Sequence, residues 1–129
     1  MDQERFYREQ VDLLTGEHPE KCMICGKCTA SCPSFDEMPY PPHRFVSCIV
    51  KGNIQELMDS PAIYQCLSCF ACVERCPRGI EPARLVEAVR LLKERPQDGD
   101  HLDANTVSIM AEEGLPQQAI TSAMRKYCK

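Results

Sequence analysis

A chain of 129 residues has room for one ordinary domain and little more. Its 15 basic and 19 acidic side chains leave a net charge of −4, which excludes the basic footprint of a nucleic-acid binder. Ten cysteines stand in a chain with no tryptophan and 6% aromatics, so a conventional core would be thin and something besides side-chain packing has to help hold the fold.

The first stretch, Met-Asp-Gln-Glu-Arg, has no apolar signal core. No apolar run anywhere approaches the ~18 residues of a membrane span. The expectation is a cytoplasmic protein without a transmembrane segment, and in that compartment dense cysteine points to metal rather than to disulfides. Charge divides the chain: residues 1–21 carry a net −3, residues 22–76 a net −1, and residues 77–129 are balanced. We therefore expect an acidic N-terminal helical arm over 1–21, a central domain over 22–95 and a C-terminal helical tail over 96–129.

The central stretch contains a repeat. Cys22-Met-Ile-Cys25-Gly-Lys-Cys28-Thr-Ala-Ser-Cys32-Pro33 returns as Cys66-Leu-Ser-Cys69-Phe-Ala-Cys72-Val-Glu-Arg-Cys76-Pro77. Both copies read Cys-x2-Cys-x2-Cys-x3-Cys-Pro, and the insert from Pro33 to Gln65, between the last cysteine of one and the first of the next, is 33 residues long. In that insert Phe45, Val46, Ile49 and Val50 predict a helix stopped by Gly52, although the same residues also suit a short strand. A second short turn, Ile54 to Met58, ends before Ser60-Pro61. Beyond the second copy, Pro82 is placed as a first-turn proline, and Leu85, Val86, Val89 and Leu92 form one apolar stripe that stops at Pro96. Gln97 to His101 reads as a polar linker. Asp103 can cap a helix running to Gly114. Pro116 opens a last helix with Ala119, Ile120, Ala123, Met124 and Tyr127 on one face. No hairpin turn joins two alternating runs, so the fold class is mostly α.

Three thiolates spaced every third residue cannot all leave a regular helix or strand on one side. The chain has to loop, presenting sulfurs to one side while backbone amides turn inward, and this suits a cuboidal iron–sulfur cluster. In chains with two such runs, the last cysteine of each run ligates the other cluster. Cys22, Cys25, Cys28 and Cys76 are accordingly expected to hold one 4Fe–4S cluster, and Cys66, Cys69, Cys72 and Cys32 a second. Proline after Cys32 and Cys76 has no N–H and turns the chain away. Two zinc sites could also use eight cysteines, but zinc sites favour pairs of ligands over an evenly spaced triple. Two oxidised clusters, each −2 with its thiolates, would bring the whole to about −8.

Other residues near the runs invite plainer readings. Met23, Ile24, Leu67, Phe70 and Ala71 are candidates to shield the clusters. Lys27 and Arg75 read as surface charges or as docking points for an acidic partner. Cys48, beside an apolar stripe, is expected to pack as a small hydrophobe, and Cys128 to be an exposed or frayed thiol. His18, His43 and His101 are isolated and receive no ligand role. There is no phosphate loop, nucleophile elbow or catalytic triad, so no bond-making chemistry is expected of the chain alone.

Over roughly residues 20–95 the chain resembles the C-type iron–sulfur subunit of heterodisulfide reductase. The likeness rests on both cassettes, and most of all on Glu-Arg-Cys-Pro-Arg-Gly-Ile-Glu at 74–81. The resemblance implies a helical ferredoxin fold with two 4Fe–4S clusters on the eight matching cysteines. It also implies an electron-transfer subunit of an anaerobic oxidoreductase complex, without catalysis of its own. Its partners would be an A-type, flavin-containing chain and a B-type, cysteine-rich catalytic chain, which cleaves a disulfide such as the coenzyme M–coenzyme B heterodisulfide. Similar modules serve anaerobic glycerol-3-phosphate dehydrogenase and glycolate, lactate and fumarate-type enzymes, often with a domain bearing a Cys-Cys pair in the same chain. No Cys-Cys pair occurs here, so that domain is expected on a separate polypeptide. The alternatives are the iron–sulfur subunit of such a flavin dehydrogenase, a free ferredoxin carrier, and a zinc-bound interaction module.

Overall fold

In the computed structural model, which describes residues 2–95 and 104–127, every regular element is a helix. The expected Asp103 cap, the 97–101 linker and Cys128 lie outside the described residues. The chain divides into two units, residues 1–94 and 95–129.

In the first unit, α1 (Asp2–Thr15) is followed by a 3-10 turn (Pro19–Lys21), α2 (Lys27–Ser31), α3 (Pro42–Lys51), α4 (Ile54–Asp59), α5 (Ala62–Gln65), α6 (Ala71–Arg75) and α7 (Pro82–Glu94). Prolines open α3 and α7 in the first turn, where a missing N–H costs nothing. The stretch from Phe45 to Val50 is helix, not strand: Phe45, Val46 and Ile49 fall on one buried face. Gly52 then adopts a left-handed conformation (φ +80°), and the Asn53 N–H bonds back to the Cys48 carbonyl to close the helix end.

The core joins α3, α4, α5 and α7 through Phe45, Ile49, Ile54, Leu57, Ile63, Leu85 and Val89, all fully buried. The acidic arm is part of this unit. Val11 of α1 is fully buried. The Glu4 carboxylate accepts the Ile54 and Gln55 N–H groups (2.8 and 3.0 Å) at the start of α4, where Asn53 makes no side-chain cap. A carboxylate there satisfies otherwise orphaned donors. Arg8 donates to the Ile49 carbonyl at 3.1 Å and pairs with Asp12 and Glu20. At the other end of the core, Arg90 and Lys93 of α7 donate to the carbonyls of Ile63 and Met58 at 2.7 and 2.8 Å.

The second unit pairs α8 (Ala104–Glu112) with α9 (Gln117–Tyr127). Gly114 (φ +75°) donates to the Ala111 carbonyl and Leu115 to that of Met110, closing α8 in the same way that α3 is closed. No helix among the described residues is long and apolar enough to cross a membrane.

Candidate metal centres

Each cysteine run begins as a loop and ends as a helix. The first two cysteines of each run lie on the loop. The third, Cys28 or Cys72, lies on a one-turn helix, and the fourth, Cys32 or Cys76, caps that helix. The loop is made possible by left-handed residues: Ile24 (φ +55°) and Gly26 (φ +75°) in the first run, Ser68 (φ +53°) and Phe70 (φ +62°) in the second. The expectation that the chain must loop therefore holds for half of each run. The remainder is short helix, because x3 spacing lets Cys28 and Cys32, or Cys72 and Cys76, stand one turn apart.

The helices α2 and α6 pack on each other, and this brings the two runs together. Cys22, Cys25, Cys28 and Cys76 line one recess of about 360 Å³. Cys32, Cys66, Cys69 and Cys72 line another of about 400 Å³. Each recess thus receives three thiols from one run and the last thiol from the other. Among the described residues no three histidine, cysteine or acidic side chains close on a single point as the ligands of one metal ion do. The thiols of each set stand around a volume instead.

The inner and outer thiols differ. Cys28 and Cys72 are each 9% exposed and pack together with Ala83, whereas Cys25 and Cys69 face solvent. Burial pushes the Cys28 thiol up, and it pushes Cys72 up to about 11, with Cys66 and Cys28 nearby adding to the effect. Cys32 is raised by burial and then by Cys66 and Cys69. Without a cation these groups hold their protons, so loading a metal centre must displace them. Backbone amides already point at sulfur: Ile24 N–H donates to Cys22 Sγ at 3.4 Å and Ile80 N–H to Cys76 Sγ at 3.3 Å.

Of the expected apolar shields, Met23 lines the first recess, and Leu67 and Phe70 the second. Ile24 and Ala71 line neither. Lys27 and Arg75 are exposed. Cys48 is half-buried against the core, its thiol raised by burial, and takes no part in either recess. Two wall residues of the first recess escaped the sequence reading. His43 stands there, bonded through Nδ1 to Thr29 Oγ1 at 2.5 Å, and so does Arg78. Arg78 follows Cys76-Pro77 as Ser34 follows Cys32-Pro33, so extending the repeat by one residue would have flagged it.

The family model described as "4Fe-4S dicluster domain" matches residues 18–80, a stretch containing all eight cassette cysteines. The C subunit of the H(2):CoB-CoM heterodisulfide,ferredoxin reductase of Methanothermobacter thermautotrophicus is 28% identical over 128 residues, covering 95% of this chain and 68% of that protein. The chain is a homologue of the heterodisulfide reductase C subunit. Two further proteins of this kind agree. The C2 subunit of the H(2)/formate:CoB-CoM heterodisulfide,ferredoxin reductase of Methanococcus maripaludis is 30% identical over 111 residues, 83% of this chain and 59% of its own length. The iron-sulfur C subunit of the CoB--CoM heterodisulfide reductase of Methanopyrus kandleri is 36% identical over 73 residues, 57% of this chain and 38% of its own length. The helical architecture and the dicluster domain together make this C subunit homologue a helical ferredoxin of the iron–sulfur, electron-transfer kind.

Proposed function

We propose that the chain relays electrons through two 4Fe–4S clusters within a cytoplasmic heterodisulfide-reductase-like complex. The relay runs between a flavin-containing, A-type chain and a cysteine-rich, catalytic B-type chain. Residues 22–95 are the cluster domain; Cys22, Cys25, Cys28 and Cys76 hold the first cluster, and Cys66, Cys69, Cys72 and Cys32 the second. The observation that carries this reading is the sorting of eight thiols into two recesses, each completed by the last cysteine of the other run. The donor set also fits: four thiols per recess, walls that are apolar except for His43 and Arg78 at the first and Ser34 at the second, and backbone amides directed at Cys22 and Cys76 sulfur.

When bound, such clusters accept and release single electrons. The chain's own part is to hold them, exclude water and keep them close to each other. Sharing ligands between runs does the last of these, since Cys28 and Cys72, one from each recess, pack in one small cluster of side chains. Cys25 and Cys69 stand exposed at the rims, where partner cofactors can approach. The names of the relatives support a place in an assembly of several different chains.

The test is an anaerobic pull-down of the tagged chain from its native host, with iron and acid-labile sulfide measured on the product. About eight irons and eight sulfides per chain are expected, together with a flavoprotein and a chain bearing Cys-Cys pairs. A dehydrogenase of small hydroxy acids or glycerol phosphate in their place would move the function to that class, and no stoichiometric partner would make the chain a free carrier. Zinc without sulfide would overturn the clusters.

A further inference from the structure

The two recesses are built from equivalent positions, so their differences can be read one residue at a time. The runs correspond at a shift of 44 residues, and the helices that follow them, α3 and α7, at a shift of 40 from their opening prolines Pro42 and Pro82. At three pairs of equivalent wall positions the chemistry changes. Gly26 in the first recess corresponds to Phe70 in the second, His43 to Ala83, and Arg78 to Ser34. Arg78 and His43 therefore both stand at the first recess, and the walls of the second recess carry no charged or imidazole side chain.

Reduction adds a negative charge to a site that is already anionic with its thiolates. A fixed cation beside the site favours the reduced form, and an apolar, water-poor wall disfavours it. Among the described residues Arg78 makes no ion pair, so no carboxylate cancels its charge directly. The His43 ring, fixed by Thr29, adds a polar wall where the second recess has a methyl group. The Phe70 ring lies over the second recess, where the first has only Gly26.

We infer that Arg78, with His43 beside it, sets the first site at a higher potential than the second, so that an electron entering the chain comes to rest on the site of Cys22, Cys25, Cys28 and Cys76. This rests on the two-cluster reading above. It gives the relay a direction, with the donor serving the second site and the acceptor drawing from the first. Arg78 is exposed, so solvent and salt weaken its effect. The expected change on removing it is about threefold in the ratio of reduced to oxidised first site at a fixed potential, larger at low ionic strength.

The experiment is an EPR-monitored redox titration of the full, anaerobically loaded chain, with iron and sulfide content measured on every sample. The wild type is expected to show two one-electron steps. Arg78→Ser lowers the higher step and leaves the lower one in place; Ser34→Arg raises the lower step and narrows the gap. His43→Ala lowers the higher step by less than Arg78→Ser. If Arg78→Ser moves the lower step, or neither substitution moves either step in fully loaded protein, the inference is overturned. A wild-type chain that does not hold two clusters' worth of iron and sulfide would instead sink the reading beneath it, and the content assay separates the two failures. Circular dichroism on each variant shows whether the fold survived the change.

Discussion

The two cysteine runs share a backbone and differ in their surroundings. Each is entered from a helical turn, through Cys22 or Cys66 in extended conformation (ψ 124° and 123°). Each passes two left-handed residues and makes a five-residue helix, ending at Cys32 or Cys76 with φ −74° in both. Nothing in the residues between the cysteines is shared closely enough to explain this. Met-Ile, Gly-Lys and Thr-Ala-Ser stand against Leu-Ser, Phe-Ala and Val-Glu-Arg. The spacing of the thiols and the proline after the fourth are what the two share, and these suffice to set the same path. The remaining positions are then free to give each recess its own walls.

The strongest way to break this equivalence is through the exchanged ligands. Cys76→Ser should abolish or severely perturb the centre formed by Cys22, Cys25 and Cys28, although Cys76 belongs to the other run. Cys32→Ser should do the reverse to the centre of Cys66, Cys69 and Cys72. Each variant is expected to lose roughly half the bound iron, with one EPR signal gone and the other close to wild type. Damage confined to the centre of the mutated residue's own run would show that the ligands are not exchanged.

Removing the metal altogether tests how far the thin core depends on it. Cys22, Cys32, Cys66 and Cys76 pack against the main apolar cluster, so the recess walls and the core are one body of packing. Chelation of the loaded chain under anaerobic conditions should lower its thermal midpoint substantially, because ligand binding free energy is also folding free energy. An unchanged midpoint after full iron loss would mean that α3, α4, α5 and α7 hold the fold alone.

A milder comparison uses Val46 and Val86, equivalent residues of α3 and α7 that are 1% and 2% exposed and line the first and second recess respectively. Val46→Ala and Val86→Ala should each cost about 2 kcal/mol, the loss of two buried methyl groups plus a small cavity. Thermal unfolding of the loaded variants measures both. Values that differ by more than about 1.5 kcal/mol would mean that the two recesses are not mechanically alike.

Much of this arrangement was legible in the residues, for identifiable reasons. The α7 helix announced itself by a 3.6-residue apolar stripe and an opening proline, and α3 by its apolar positions and a closing glycine; the proline that opens α3 was not read as a start signal. The cysteine spacing pointed to the two sets of four, which the packing of α2 on α6 brings to separate recesses. Short elements were harder to see. The four-residue α5 and the one-turn helices α2 and α6 are too brief for any periodicity to register. Long-range capping was invisible, because Glu4 meets Ile54 only after 50 residues have been folded back. His43 was passed over for a related reason. It is isolated in sequence and becomes a wall of the first recess only because α3 packs on α2.

The finest difference between the runs is at the fifth position, Gly26 in one and Phe70 in the other. Both are left-handed, at φ +75° and +62°. Glycine accepts that conformation freely, whereas a residue with a Cβ gives up about 1–2 kcal/mol. A Cβ on Gly26 would meet no atom within 4 Å, so Gly26→Ala should cost about 1 kcal/mol through the backbone alone. Phe70→Gly should regain a similar amount of backbone strain while losing the apolar contacts of a ring that is 42% exposed, leaving stability within about 1 kcal/mol of wild type. The thermal midpoints of the loaded variants test both statements. Their oxygen sensitivity carries the sharper contrast: Phe70→Gly opens the second recess to solvent and should hasten bleaching of that centre, while Gly26→Ala leaves the rate nearly unchanged. Equal bleaching rates for wild type and Phe70→Gly would mean that the ring shields nothing, and that the strain at position 70 serves no protective purpose.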